Sequence, residues 1–193
     1  MGINLARIAI FASGNGSNAE NIVHYFEKQK TATVDLIVSN NPNAFVLERA
    51  AKLGIESHII SRADFKQAEN LLELLKNKKI DFIVLAGFLW LIPSELIISY
   101  PNRILNIHPA LLPKYGGKGM YGDFVHQAVS ISGDTKSGIT IHFVNKAYDE
   151  GDIIFQKSVE IEAGEDSDKI AEKVHALEYE YFPVIIEKVI TSK

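Results

Sequence analysis

The sequence predicts an open α/β fold, in which a mostly parallel, twisted sheet carries helices on both faces. Short apolar runs alternate with amphipathic stretches along the chain, as expected of strand–helix–strand units. The apolar runs are almost unbroken, which is typical of strands that are buried on both faces. A length of 193 residues fits one domain, and we expect residues 1–193 to form it, because no repeat, linker or low-complexity segment divides them.

Seven apolar runs are the candidate strands. They are Arg7–Ala12, Val34–Ser39, Ser57–Ile60, Asp81–Ala86, Arg103–Ile107, Gly138–Val144 and Ile153–Ile161. The last two follow loops that are rich in glycine and charge, so an antiparallel direction is left open for them.

Four stretches have apolar residues at helical spacing. They are Asn18–Gln29, Asn43–Leu53, Phe65–Lys79 and about Ser167–Val189. Gly54 marks the end of the second stretch, and the basic run 76–79 suits the C-terminus of the third. Pro183 lies inside the last stretch and is expected to kink or restart that helix.

The composition excludes several classes of protein. Hydrophobic residues make up 47% of the chain, as in a globular protein rather than a disordered one. The absence of cysteine excludes disulfide scaffolds, thiolate metal sites, iron–sulfur clusters and a cysteine nucleophile. The formal net charge of −4 disfavours a nucleic-acid partner. We therefore expect a chemistry that uses oxygen and nitrogen side chains.

No targeting, membrane or metal-binding signal is visible. The apolar run after Arg7 is too short for the core of a signal peptide. The longest uncharged apolar run, Phe82–Pro93, is well below the ~20 residues of a membrane-spanning helix. His24, His58 and His126 lack metal-ligand spacing. The sequence therefore predicts a cytoplasmic protein without a membrane partner and without a metal.

A glycine-rich turn follows the first predicted strand and leads into the first helix. Its glycines allow a tight turn, and the exposed N–H groups and helix dipole attract an anion. Gly14, Gly16 and Ala19 fit a loose dinucleotide fingerprint, but Ser39 and Asn40 stand where its acidic residue belongs. A phosphate site is favoured over a dinucleotide site, and a plain turn is the alternative. The candidate phosphate-binding residues are Gly14, Asn15, Gly16, Ser17 and Asn18.

Asn106 and His108 end a predicted strand and lie on one of its faces, because they are two positions apart. An imidazole exchanges protons near neutral pH, and an amide N–H can donate to a developing oxyanion. An acidic turn later in the chain holds Asp149 and Asp152. A carboxylate from it would orient the ring and raise its pKa, and the spacing does not decide which one. The alternatives are a structural histidine and a solvated acidic turn.

Four motifs occur together in a fixed order. They are Ile10–Asn18, Leu85–Phe88, Leu105–Pro113, and Thr140–Val144 with Asp149–Gly151. Together they resemble the phosphoribosylglycinamide formyltransferase family, within the superfamily of folate-dependent formyltransferases. The resemblance extends from Arg7 to about Val189.

The resemblance implies a Rossmann-like fold and a one-carbon transfer in de novo purine biosynthesis. The formyl group of 10-formyltetrahydrofolate, the co-substrate, would move to the amine of 5-phosphoribosylglycinamide. Formylglycinamide ribonucleotide and tetrahydrofolate would be the products. The amine would attack directly through a tetrahedral intermediate, so no nucleophilic side chain is required. The implied partners are these small molecules, with no nucleic acid, in a monomer or homodimer.

The resemblance also assigns roles to residues. Asn106, His108 and Asp149 would be catalytic, and the backbone of residues 16–18 would hold the phosphate. His175 and Glu178 would lie near the ribose or glycinamide, with exposed helix residues as the alternative. The implied folate-binding residues are Phe88, Leu89, Trp90, Leu91, Ile92, Asn106, Asn145, Lys146, Ala147, Tyr148 and Asp149.

Two features fit the family pattern less closely, and the role of a third residue, His142, is left open. Trp90 stands where members often have arginine, so an arginine contact to the folate is absent from that position. The glycine-rich segment Tyr115–Gly122 is longer than in many members, and it is interpreted as a mobile flap or as an inert surface loop. His142 is interpreted as a neighbour of the catalytic residues or as a core histidine.

Other functions fit parts of the pattern. The enzyme alternatives are a formyltetrahydrofolate hydrolase and another formyltransferase of the superfamily. The alternative that is not an enzyme is a phosphosugar-binding module, which would use only the turn at Gly14–Asn18.

Overall fold

The computed structural model describes residues 5–162 and 164–192. Within them one sheet has the strand order β3-β2-β1-β4-β5-β6-β7. Its strands are β1 (Ala6–Phe11), β2 (Ala32–Ser39), β3 (Ser57–Ile59), β4 (Phe82–Leu85), β5 (Ile104–His108), β6 (Lys136–Phe143) and β7 (Ile153–Glu160). The helices are α1 (Ser17–Gln29), α2 (Phe45–Lys52), α3 (Arg62–Gln67), α4 (Glu69–Asn77), α5 (Ser94–Ser99), α6 (Asp123–Ser132) and α7 (Ser167–Thr191).

The directions of the strands confirm the predicted fold class. Strands β1 to β5 are parallel, whereas β6 is antiparallel to β5 and β7 is antiparallel to β6. From β1 the chain first adds β2 and β3 on one side, and then β4 and β5 on the other. This reversal of strand order lies at the C-terminal ends of β1 and β4, where open α/β sheets bind ligands.

Helices cover both faces of the sheet because its strands are apolar on both faces. On one face, Ile8 and Ile10 of β1 pack in a core with residues of α1, α2, α6 and α7. On the other face, Ala9 and Phe11 pack with residues of α3, α4 and α5. In the described part of the chain, no helix is long and apolar enough to cross a membrane.

The helix predicted over Phe65–Lys79 is wrong in its bounds, because two helices occupy this region. Helix α3 begins at Arg62, after Ser61, whose hydroxyl accepts a hydrogen bond from the Asp64 N–H. It ends at Ala68, which has a left-handed backbone with φ 58°. The break lets α3 and α4 bury separate apolar residues, Phe65 and Leu71 among them, in the same core.

Two short helices, α5 and α6, were not predicted. Helix α5 has 6 residues, too few for a clear helical period. Helix α6 follows the glycine-rich segment directly and buries only Val125, His126 and Val129. Neither pattern stands out from its surroundings in the sequence.

Helix α7 continues through Pro183 as one segment, so of the two predicted outcomes, a kink or a restart, the restart is wrong. Proline has no N–H to donate to the carbonyl four residues earlier. That carbonyl, of Tyr179, instead accepts a hydrogen bond from Asn21 Nδ2 of α1 at 2.9 Å. The neighbouring helix therefore satisfies the group that the proline leaves free.

Candidate active site

A cleft of about 910 Å³ opens at the C-terminal ends of β1, β4 and β5. The loops after these strands form three of its walls, and α6, α7 and the loop before β7 complete it. Except for Asn145 and Lys146, all of the site residues predicted from the sequence line this cleft.

The glycine-rich turn after β1 is fixed to its surroundings by hydrogen bonds of Ser13. The Ser13 N–H donates to the Gly87 carbonyl at 3.0 Å, and Ser13 Oγ accepts from the Leu89 N–H at 3.0 Å. Gly16 precedes α1 with a left-handed φ of 78° and without a side-chain cap. The first N–H groups of a helix have no partner within it, so the turn offers donors and a positive helix end to an anion.

Two neighbours from α2 support this turn. A Cβ atom at Gly16 would lie 2.8 Å from Val46 Cα, so only glycine fits there. Arg49 donates from Nε to the Asn15 carbonyl and from Nη2 to Asn15 Oδ1, both at 3.0 Å, and pairs with Glu20. The role of Arg49 was not predicted, because nothing in the helix pattern of α2 indicates which element this side chain faces.

Asn106, His108 and Asp149 come together in the cleft. Strand β5 ends with Asn106 and His108, and its antiparallel register places His142 of β6 opposite Asn106. Asn106 Nδ2 lies 3.1 Å from His142 Nε2 and 3.4 Å from Asp149 Oδ1. His142 is therefore a direct neighbour of two of the three predicted catalytic residues, Asn106 and Asp149, which is one of the two interpretations left open by the sequence.

The hydrogen bonds of His142 define its tautomer. Its Nδ1 lies 2.8 Å from the Phe143 carbonyl oxygen, which can only accept, so Nδ1 carries the hydrogen. Nε2 is then free to accept from the amide of Asn106. The amide orientation of Asn106 follows, with its NH₂ group towards His142 and Asp149.

His108 is almost fully buried, with 3% of its surface exposed. Its Nε2 lies 2.7 Å from the Tyr115 carbonyl oxygen and donates to it. Its Nδ1 faces Asp149 Oδ2 at 3.5 Å. Asp149 Oδ2 also accepts from the Gly117 N–H at 3.0 Å. Asp152 is exposed, so the carboxylate near the imidazole is that of Asp149.

The pKa values of this pair reflect burial and mutual attraction. Burial lowers the pKa of His108, and Asp149 only partly offsets it. The carboxylate does raise this pKa, as expected, but the loss of water on burial has the larger effect and the pKa of His108 stays below its ordinary value. Burial alone would raise the pKa of Asp149, but the nearby imidazoles of His142 and His108 and the hydrogen bond from the Gly117 N–H together hold it below its usual value. Near neutral pH, His108 is thus mainly neutral and Asp149 ionised.

Helix α7 contributes a second polar group next to the glycine-rich turn. Glu178, which is 5% exposed, accepts from Asn18 Nδ2 at 2.9 Å. The same carboxylate oxygen lies 2.9 Å from His175 Nδ1, and this hydrogen bond raises the pKa of His175. Tyr25 of α1 also donates to Glu187 of α7. A row of side chains thus connects α1 to α7 beside the cleft.

The segment after β4 forms the apolar wall. Phe88 and Ile92 are buried, and Trp90 packs on Phe88 with ring centroids 6.2 Å apart. The Arg62 guanidinium lies 4.8 Å above the Trp90 ring. Trp90 therefore packs in the wall and holds a cation on its ring.

The loop before β7 contributes less than expected. Ala147, Tyr148 and Asp149 line the cleft, whereas Asn145 and Lys146 do not. Asn145 Oδ1 accepts from the Ala147 N–H at 2.9 Å, so its side chain shapes the loop instead.

The glycine-rich segment Tyr115–Gly122 belongs to the site. It contacts His108 through the Tyr115 carbonyl and Asp149 through the Gly117 N–H, and residues 117–122 line the cleft. Beyond it, α6 adds Phe124, His126 and Gln127, which could not be assigned to the site because α6 was not predicted. Over residues 5–162 and 164–192, no group of three or more metal-ligating side chains is found.

Comparisons with known proteins point to one family. A family model described as formyl transferase matches residues 6–186. The chain is 39% identical over 186 residues to phosphoribosylglycinamide formyltransferase, chloroplastic, of Arabidopsis thaliana, covering 93% of this chain and 64% of that protein. It is 35% identical over 193 residues to phosphoribosylglycinamide formyltransferase of Bacillus subtilis, covering 96% and 95%.

Solved structures agree in fold. The crystal structure of glycinamide ribonucleotide transformylase 1 from Geobacillus kaustophilus matches with a TM-score of 0.88 and 33% identity, over 97% of this chain and 100% of that one.

Proposed function

The chain belongs to the formyl transferase family, which matches residues 6–186, and we propose that it formylates the amine of 5-phosphoribosylglycinamide. The family implies a folate-type co-substrate, which we propose is 10-formyltetrahydrofolate. The products are formylglycinamide ribonucleotide and tetrahydrofolate, in de novo purine biosynthesis. The observation that carries the proposal is one cleft that joins a phosphate-type turn at residues 14–18 to the cluster of Asn106, His108 and Asp149.

The phosphosugar binds at the end of the cleft between α1 and α7. The backbone N–H groups at Gly16, Ser17 and Asn18 and the dipole of α1 hold the phosphate. His175 and Glu178 face the ribose or the glycinamide from α7. Their hydrogen bond to one another and the bond from Asn18 to Glu178 support this location, because they join both parts of the subsite.

The folate lies against the apolar wall. A pterin is a flat, partly apolar ring with polar edges, and such ligands fit apolar walls with a few polar groups. Phe88, Leu89, Trp90, Leu91 and Ile92 provide the apolar surface, and the backbone at residues 147–149 offers the polar groups. When bound, the folate supplies the formyl carbon.

Asn106 is the donor to the oxyanion. As the amine forms its bond to the formyl carbon, the carbonyl electron pair moves to oxygen, and an amide N–H can stabilise that charge. Of the two hydrogen bonds of Asn106 Nδ2, the 3.4 Å bond to Asp149 is near the limit of a hydrogen bond and is the one that can be released. His142 holds the amide in place with the other.

His108 and Asp149 move the proton. The amine loses a proton as the C–N bond forms, and the leaving folate nitrogen gains one as its bond to the formyl carbon breaks, so protons balance. His108 Nε2 is engaged with the Tyr115 carbonyl, so Nδ1, facing Asp149, is the position that accepts a proton. The imidazolium so formed is stabilised by the carboxylate.

An assay of folate turnover tests this function. The purified chain is mixed with 10-formyltetrahydrofolate, with and without phosphoribosylglycinamide, and the loss of the formyl compound is followed by absorbance. We expect turnover only with the ribonucleotide. Turnover without it would indicate a hydrolase, and no turnover with it would favour a phosphosugar-binding module.

Replacing Gly16 with alanine is expected to weaken phosphosugar binding. The new Cβ would meet Val46, at 2.8 Å from its Cα, and the turn would have to move away from α2. We expect KM for phosphoribosylglycinamide to rise about tenfold or more, with KM for the folate within about twofold. Gly54→Ala is the control, because Gly54 also has a positive φ, 68°, but has open space around it. A similar rise in both folate and phosphosugar KM for Gly16→Ala would contradict a phosphate role for the turn.

The compartment, domain extent and assembly are further parts of the proposal. We propose a cytoplasmic enzyme in which residues 1–193 form one formyltransferase domain, acting on small molecules as a monomer or homodimer. The low net charge of −4 fits small-molecule substrates better than nucleic acid.

A further inference from the structure

His126 is a buried histidine on the wall of the cleft that the reaction described above does not use. Only 1% of its surface is exposed. Among the described residues, neither Nδ1 nor Nε2 of this ring has a hydrogen-bond partner. It lies on α6 between Val125 and Val129, which pack in the core, and it is one of the residues that line the cleft.

The surroundings of His126 place it at the phosphosugar end of the cleft. Its ring packs edge-on against His175, with ring centroids 5.9 Å apart and an interplanar angle of 74°. His175 in turn bonds to Glu178, which bonds to Asn18 in the first turn of α1. His126 thus adjoins the side chains that we assign to the ribose and glycinamide.

An apolar residue would suit this position better if packing were its only role. Leaving a buried polar group without a partner typically costs about 1–3 kcal/mol, and such groups in native proteins are few. Buried polar groups without a partner are expected mainly at functional sites, where a bound ligand can supply the missing hydrogen bond. The two free nitrogens therefore indicate a partner that arrives with the substrate.

We propose that His126 hydrogen-bonds to the ribosyl–glycinamide part of the phosphosugar substrate, an assignment that rests on the function proposed above. A neutral imidazole has one N–H donor and one acceptor nitrogen. A ribose hydroxyl or a secondary amide can match both. Burial and the neighbouring His175 lower the pKa of His126, so the ring is neutral and is not suited to pair with the phosphate as a cation.

The variant His126→Leu tests the proposal by binding and by stability together. Calorimetric titration with phosphoribosylglycinamide is expected to show a Kd about 3–10-fold higher than in the unchanged chain, as for one lost neutral hydrogen bond. The Kd values for tetrahydrofolate and for inorganic phosphate should stay within about twofold. The melting temperature without ligand should rise by about 2–4 °C, because the unpaired buried group is gone.

Two further variants make the result decisive. His58→Leu, at an exposed position on β3, is expected to change none of the Kd values. His126→Gln keeps a donor and an acceptor and should restore most of the affinity for the phosphosugar. An unchanged Kd for phosphoribosylglycinamide in His126→Leu, or no restoration by glutamine, would overturn the proposal. If the unchanged chain itself neither binds nor formylates phosphoribosylglycinamide, the proposed function fails instead.

Discussion

Replacing Asp149 with asparagine is expected to lower kcat by about 10²–10⁴-fold, the usual contribution of a positioned proton-transfer group. The substitution keeps the shape of the side chain but removes the charge that faces His108 Nδ1 at 3.5 Å. Residue 149 has a left-handed backbone with φ 57°, which asparagine tolerates well. The fold and the KM values should therefore change little. Steady-state kinetics with both substrates measures this split between kcat and KM.

The pH profile of the same variant gives a second signature. The neutral form of His108 is the base, so kcat falls as the pH falls through the pKa of His108, which burial keeps below its ordinary value. The charge of Asp149 raises that pKa, so its removal should move the acid limb of the profile to still lower pH. Asp152→Asn, at an exposed position, is the matched control and should leave both kcat and the profile unchanged. A kcat for Asp149→Asn within about twofold of the unchanged chain would remove Asp149 from the catalytic residues.

Replacing Asn106 with alanine is expected to lower kcat by about 10²–10³-fold, the typical effect of losing one oxyanion donor. We expect kcat to decrease and KM to stay nearly unchanged, because the donor acts on a charge that develops only during the reaction. Single-turnover kinetics, which isolates the chemical step, is the appropriate measurement. Asn106→Gln should not restore the rate, since one added methylene moves the N–H away from its position.

A control is needed for the hydrogen bonds that this substitution breaks. Asn106 also bonds to His142 and Asp149, so a melting curve of Asn106→Ala should show that the fold persists. Asn77→Ala, at the exposed end of α4, should match the unchanged chain in kcat. An equal loss in binding of both substrates, with the chemical step unaffected, would show that Asn106 acts in positioning rather than as the oxyanion donor.

The fold was predictable from the sequence where apolar runs are long and regular. All seven observed strands overlap a predicted one, and the near-continuous apolar character of the central strands indicated their burial on both faces. The division of α3 from α4 could not be predicted, because it depends on a left-handed alanine at position 68. Alanine has no local preference for that conformation, so the surrounding packing imposes it.

The site was predictable where its residues are close in sequence or directly follow strands. Asn106 and His108 could be paired from their spacing alone. The position of His142 in the site could not be predicted from the sequence. It depends on β6 running antiparallel to β5 in the register that places His142 opposite Asn106. The choice between Asp149 and Asp152 likewise needed the path of a loop that no periodic pattern describes.

The hydrogen bonds between α1 and α7 bear on how the molecule folds. Asn18, Asn21 and Tyr25 of α1 form hydrogen bonds with residues of α7. The partners in these bonds are separated by 158 to 162 positions along the chain. Bringing together segments so distant has a high entropic cost and is slow, so we expect the phosphosugar end of the cleft to be completed late in folding. A phosphosugar that contacts both α1 and α7 would then stabilise the folded state in which the two helices are packed together.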